Sequence, residues 1–240
     1  MIKFFRKIRQ KLLQENRFSK YLLYAVGEIA LIVIGIMIAL QLNNWNEKNN
    51  NEILLNENLK ILIRDIQNDL LDIKRVKKHY AKLKPLFISI ITDSITHEEF
   101  INYNRSNMLT YFPDWTIEQK GILLMTGNNI KNDSLINNII DTYNHYSKLI
   151  IDSEIRLTDN NYENMTYYRN NFDWFALWCL PSRGVMIEAE IINESLYNNK
   201  EYKKRTGQRY LMLYDNYLKY IIEFEIELIE YLKLIKLRVN

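Results

Sequence analysis

Residues 21–42, YLLYAVGEIALIVIGIMIALQL, form an apolar run interrupted by a single carboxylic acid, Glu28. About 20 apolar residues rising 1.5 Å each span the ~30 Å hydrocarbon core of a bilayer, where only a helix or a closed barrel satisfies its own backbone. The flanks set a direction. Lys3, Arg6, Lys7, Arg9, Lys11, Arg17 and Lys20 precede the run against one acid, Glu15, whereas residues 43–60 carry Lys48 and Lys60 against Glu47, Glu52 and Glu57. Basic flanks stay on the cytoplasmic side. The expected organisation is therefore a cytoplasmic basic amphipathic segment at 1–20, a transmembrane signal-anchor helix at 21–42 and an exported domain at 43–240. In a bacterium this places the protein in the inner membrane, with its N-terminus cytoplasmic and its C-terminal domain periplasmic. A cleaved signal peptide is the rival reading. Signal peptides have apolar regions of ~7–15 residues ending at a small-residue site, and Ala39-Leu40-Gln41-Leu42-Asn43 offers no such site. Residues 1–20 alternate Ile2, Phe4, Phe5, Ile8, Leu12 and Leu13 with the basic residues. That pattern suits a lipid surface.

An acid near the middle of a bilayer costs at least ~2.5–3.5 kcal/mol on insertion scales. Helical spacing sets Glu28, Leu31, Gly35, Ala39 and Leu42 along one stripe. Gly35 and Ala39 form a small-xxx-small pair that lets another helix approach closely. The stripe of Glu28, Gly35 and Ala39 reads as a membrane-helix interface, either with a second copy of the chain or with a larger membrane protein. The plainer reading is an acid tolerated by snorkelling to the headgroups. Trp45, just past the run, suits the outer interface.

Six Gly and three Pro in 240 residues disfavour a turn-dense β architecture. The formal charge of +3 is concentrated at one end: residues 1–20 hold seven basic residues and one acid, so the rest carries −3. Charge and export together argue against a nucleic-acid partner. The one cysteine, Cys179, has no intramolecular disulfide partner; it pairs between chains or, as expected, stays a buried apolar thiol.

Leu55, Leu59, Leu62, Ile66, Leu70, Ile73 and Val76 recur at three and four, the mark of an amphipathic helix, which Pro85 is expected to end at Lys84. Thr96-His-Glu-Glu99 reads as a capping box. Tyr111–Trp115 reads as a loop, and Thr116 as the cap of a short helix ending at Gly127. Asp133 or Ser134 caps a longer helix through Leu157. A connection with a short helix around 186–197 follows. Finally Leu211, Tyr214, Leu218, Ile221, Phe224, Leu228, Leu232 and Ile235 mark a second long helix at 207–238. The fold class expected is all-α: an N-terminal transmembrane helix, then an exported antiparallel helical bundle with two long helices and short packed helices.

The stretch Tyr24-Ala-Val-Gly-Glu-Ile29 at the start of the membrane helix and Gln41-Leu-Asn-Asn-Trp-Asn-Glu47 at its exit, behind the basic start MIKFFRKIRQ, resembles domain-of-unknown-function family 6090, uncharacterised single-pass bacterial membrane proteins. Members tend to have Ser-Gly ahead of the mid-chain helix, where this chain has Lys120-Gly121 and Thr126-Gly127. The resemblance implies an inner-membrane helical protein and carries no activity or catalytic residue.

Chemistry leaves few marks. His79, His97 and His145 are scattered, without HExxH or CxxC, and no Gly-rich phosphate loop or G-x-S-x-G occurs. The expectation is no catalytic residue, no metal and no cofactor. The basic run Lys74, Arg75, Lys77, Lys78, Lys82 and Lys84 reads as a solvated face, as does Lys203, Lys204, Arg205 and Arg209. Phe172, Trp174, Phe175 and Trp178 are either core or a partner or pocket surface. Two functions follow: a non-catalytic interaction or assembly subunit of an envelope complex, or a sensor-like periplasmic ligand-binding module signalling through a partner.

Overall fold

The computed structural model describes residues 18–102, 105–111, 115–127, 133–179 and 188–239. All regular structure among them is helical. The amphipathic reading of residues 1–17, the middle of the Tyr111–Trp115 loop and residues 186–187 fall outside the described residues. The chain divides into two compact units, residues 1–57 and 58–240. Helix α1 (Phe18–Ile91) supplies residues to both. In the first unit it carries the apolar run, which among the described residues is the one stretch long and apolar enough to cross a membrane, with none of it buried.

The second unit is built on three long helical segments: α1 from residue 58, α5 (Ser134–Asn171), and a C-terminal run made of α8 (Lys200–Tyr210), a π-helical turn (Leu211–Tyr217) and α9 (Leu218–Val239). Between them lie the short helices α2 (His97–Ile101), α3 (Asn107–Thr110), α4 (Lys120–Gly127), α6 (Phe175–Trp178) and α7 (Ala189–Leu196). The C-terminal run is antiparallel to α1: Lys77 pairs with Glu225, Tyr80 stacks edge-on to Tyr214, and Phe87 meets Tyr210. It is antiparallel to α5 as well, where Thr142 meets Tyr231, Glu154 meets Tyr217 and Asn164 meets Arg205. The segments of α1 and α5 are thus parallel to each other, joined by the long connection 92–133. The buried faces follow the apolar spacing: Leu59, Leu62, Ile66 and Ile73 on α1, Ile136, Ile139, Tyr143 and Ile150 on α5, and Ile221, Phe224 and Leu228 on α9.

Three local expectations fail, each for a physical reason. First, α1 does not stop at Lys84. Pro85 lies inside it, and the helix runs on to Ile91. A proline removes one hydrogen bond and crowds the preceding turn. Here the later turns bury Phe87 and Ile90, and Phe87 packs against the Tyr210 and Tyr214 rings. Tyr214 also donates to the Tyr80 carbonyl at 2.8 Å, beside the carbonyl of Ala81 that the proline leaves without its helical donor. Second, the last helix starts at Lys200, and Leu211, expected in the core, is 55% exposed. Arg209, Leu213, Tyr217 and Ile221 are buried at steps of four, with Leu218 buried beside Tyr217, and repeated steps of four drift round a 3.6-residue helix. The π turn takes up the extra residue. Third, Thr116 is not a cap: α4 begins at Lys120, and its Gly121 N–H is taken by a side chain of α1, as described below. The other caps form as read. Thr96 and Glu99 make a reciprocal capping box, and Asp133 accepts from the Ile136 N–H at 3.2 Å.

Candidate functional site

Charged and polar side chains are buried in the second unit, and most of them bond to backbone. Asp65 and Asp69 sit one turn apart on α1 and are 3% and 0% exposed. Asp65 accepts from the Gly121 N–H at 2.6 Å. Asp69 accepts from the Glu118 N–H at 3.0 Å and from the Tyr143 hydroxyl at 3.1 Å. Asp65 caps the first turn of α4 from another helix, and Asp69 holds the chain two residues ahead of it. Burial pushes the Asp69 carboxyl up to about 7, against the lowering effect of those two hydrogen bonds. Gly121 is required by the same contact, because a Cβ there would lie 2.7 Å from the Leu62 Cα.

A second layer holds the end of α2, residues 105 and 106, and α3. Arg105 donates to the Phe100 carbonyl at 2.6 Å and to that of Glu99, with its guanidinium over the Phe100 ring. Asn193 takes the Ile101 carbonyl at 2.7 Å, Tyr202 that of Arg105 at 3.0 Å, Tyr168 that of Ser106 at 3.2 Å and Asn164 that of Leu109 at 2.9 Å. Arg209 reaches the Tyr111 carbonyl at 3.3 Å and that of Leu157 at 2.9 Å. Burial lowers its guanidinium to about 10 and raises the Tyr168 and Tyr202 hydroxyls. The last carbonyls of short helices and those of the turns between them have no helical donor and must find partners, and these side chains supply them. The sequence hint was faint: Asn160 and Asn164 fall on the apolar face of α5.

The residues singled out from sequence divide. Phe172, Trp174, Phe175 and Trp178 come together. Phe172 stacks on Trp174 at 5.1 Å, Trp174 meets Trp178 at 6.4 Å, and Phe175 meets Trp178 at 5.7 Å. Trp174 is buried and donates its indole N–H to Ser195 at 2.8 Å, while the other three are half-buried. Cys179, at the end of this cluster, is exposed rather than buried; α6 is a single turn and leaves it at the surface. On α1, Glu28 is half-buried, Gly35 and Ala39 are exposed, and nothing lies within 4 Å of a Cβ placed on Gly35. The basic run on α1 is a solvated face in part: Arg75 pairs with Asp72, Lys77 with Glu225, and Lys84 lies 5.5 Å from the Tyr214 ring centre. His97 pairs with Glu194 at 2.7 Å. Among the described residues no group of His, Cys, Asp or Glu is placed to hold a metal ion.

The site that sequence reading missed is a cavity of about 780 Å³ between the end of α1, the connection into α2, and the α7–α8 junction. Its apolar wall is Ile90, Ile91, Ile95, Phe100, Leu196 and Tyr202. Lys200, Lys203 and Lys204 stand on one side, with Asp93 and Asn198 at the turns. Both turn residues are left-handed, Asp93 at φ 56° and Asn198 at φ 61°, a conformation that Asn and Asp adopt more readily than other L-residues. Asp93 pairs with Lys203 across the cavity. Asn199 caps α8 by accepting from the Glu201 and Tyr202 N–H groups at 3.0 Å.

Residues 28–196 match the family of unknown function DUF6090. The chain belongs to that family. No curated protein and no solved structure matches it. The DUF6090 match begins at Glu28 and ends at Leu196. It therefore takes in the membrane-helix stripe, both buried aspartates and the aromatic cluster. The cavity wall from Ile90 to Leu196 lies inside the match, and its lysine side, on α8, lies beyond it.

Proposed function

We propose that this DUF6090 protein is a non-catalytic docking or assembly subunit, held by one helix in the bacterial inner membrane with its C-terminal domain in the periplasm. The observation that carries this reading is the helix at 25–42: apolar, unburied, and bearing Glu28, Gly35 and Ala39 on one face with open space at Gly35. An ionisable residue within an apolar helix marks a functional face, and small residues along the same stripe admit a second helix closely. The basic residues ahead of the run support the orientation. The buried charges of the second unit are engaged in holding the fold, which favours a scaffold over a reactive centre.

The test is co-purification from native membranes in mild detergent. Wild type is expected to bring down a stoichiometric partner or a second copy of itself, and Glu28→Leu to lose it. An unchanged complex in the variant would defeat the reading. Orientation is tested through the exposed Cys179. A membrane-impermeant maleimide added to cells with a permeabilised outer membrane is expected to modify it; labelling only after lysis would place residue 179 in the cytoplasm.

The cavity supports a second reading, a ligand-binding module that signals through a membrane partner.

A further inference from the structure

We propose that the cavity between the end of α1 and the α7–α8 junction binds an organic anion with an alkyl body, its chain against Ile91, Ile95 and Tyr197 and its head at Lys200 and Lys204. The inference rests on the ligand-binding reading and is independent of docking at Glu28. The volume, about 780 Å³, lies within the range of small-molecule sites. Its wall is largely aliphatic, with Ile90, Phe100, Leu196 and Tyr202 buried behind the partly exposed Ile91, Ile95 and Tyr197. The charge on that wall is one-sided: three lysines face one carboxylate, and that carboxylate, Asp93, is engaged by Lys203. Lys204 meets Glu201 only at 3.9 Å and on the surface, a contact that contributes little. Lys200 and Lys204 are exposed at the mouth, so an anion gains contact there without breaking a buried pair.

The walls are also built in advance. The Asp93–Lys203 pair spans from the turn after α1 to α8 at the surface, and the wall is fixed by other contacts. Asn199 fixes the start of α8 through two backbone N–H groups and accepts the Tyr167 hydroxyl at 3.0 Å. The rings of His97, Phe100 and Tyr197 lock α2 to the turn after α7, with centres 4.8 Å and 5.4 Å apart. A preformed apolar cleft with cations at its mouth recognises an anionic head on an apolar chain, because neither an uncharged nor a cationic amphiphile satisfies both parts.

The experiment uses the full chain in nanodiscs of phosphatidylcholine and a photoreactive decanoate with a diazirine at the chain end, with crosslinks mapped by mass spectrometry. The expected labels lie on residues 90–100 and 196–207, apart from any bilayer labelling of the apolar run. Decanoate or decyl phosphate should displace the probe about tenfold better than decanol, and the order of those two reports which anionic head is preferred. Lys200→Gln with Lys204→Gln should weaken labelling severalfold. Gly207→Phe, which adds a ring at a cavity position with nothing within 4 Å, should abolish it. The lysine variant alters only exposed side chains, so it remains decisive if Gly207→Phe fails to fold. Labels confined to residues 25–42, equal competition by decanol, or unchanged labelling in the lysine variant would each overturn the proposal. None of these readouts depends on Glu28, so a failed co-purification and a failed crosslink are separable.

Discussion

Gly121→Ala is expected to destabilise the second unit by about 3 kcal/mol, near the upper end of overpacking penalties. A Cβ at residue 121 would stand 2.7 Å from the Leu62 Cα and 2.9 Å from its Cβ. The nearest atom belongs to the backbone of a long helix, so a rotamer change does not relieve the contact. Helix α4 would have to move away, and the bonds to Asp65 in its first turn and to Asp69 just ahead of it would lengthen with it. Gly207→Ala is the contrasting case. That glycine is also helical, with nothing within 4 Å of the added carbon. Alanine there is expected to stabilise by roughly 0.5–1 kcal/mol, the ordinary helix advantage. Urea unfolding followed by far-ultraviolet circular dichroism should give opposite signs for the two variants; equal signs would show that α4 does not lie against Leu62 as described.

The second large effect is a dependence on pH. Asp69 has its carboxyl raised from 3.8 to about 7, chiefly by burial. The folded chain then holds a proton there that the unfolded chain has released between about pH 4 and 7. Stability from this group is therefore greatest at the acid end of that window and falls as the pH rises through about 7, by up to a few kcal/mol. Asp69→Asn keeps an acceptor for the Glu118 N–H and can donate to the Tyr143 oxygen, without titrating. Wild type is expected to melt lower at pH 8 than at pH 5.5, and the variant to lose most of that difference. Equal slopes in both proteins would mean that Asp69 is ionised throughout. The charged neighbours that oppose its ionisation are Asp65 and Glu118. Glu99, whose carboxyl is held below its usual value by the Thr96 N–H and hydroxyl, acts only in more acid solution. Its contribution is present above about 4.5 and is lost as the pH falls, outside the window tested.

The three long helices were legible because their buried faces repeat at three and four, and Thr96–Glu99 and Asp133 were legible because a cap is a local bond between residues two or three apart. The gathering of Phe172, Trp174, Phe175 and Trp178 was visible as composition. What escaped was set by contacts distant in sequence. Nothing near Pro85 announces Phe87 packing on Tyr210 and Tyr214, and that packing carries the helix past the proline. Arg105 and Arg209 look like surface charges until the carbonyls they hold are known. Cys179 was misjudged from the general habit of lone cysteines, whereas its exposure follows from the brevity of α6. The cavity joins residues about a hundred positions apart, Ile90 to Phe100 on one side and Leu196 to Gly207 on the other, and no window of sequence contains both.

The parallel course of α1 and α5 has a consequence for how the domain is made. A ribosome delivers the chain from its N-terminus at about 5–20 residues per second, so these two helices emerge well before the segment Lys200–Val239 that is antiparallel to both. Until that segment arrives, the faces bearing Tyr80 and Phe87 on α1 and Tyr143 and Leu157 on α5 lack the rings and aliphatic groups that cover them in the finished fold. The segment Lys200–Val239 therefore closes faces that α1 and α5 leave open between themselves.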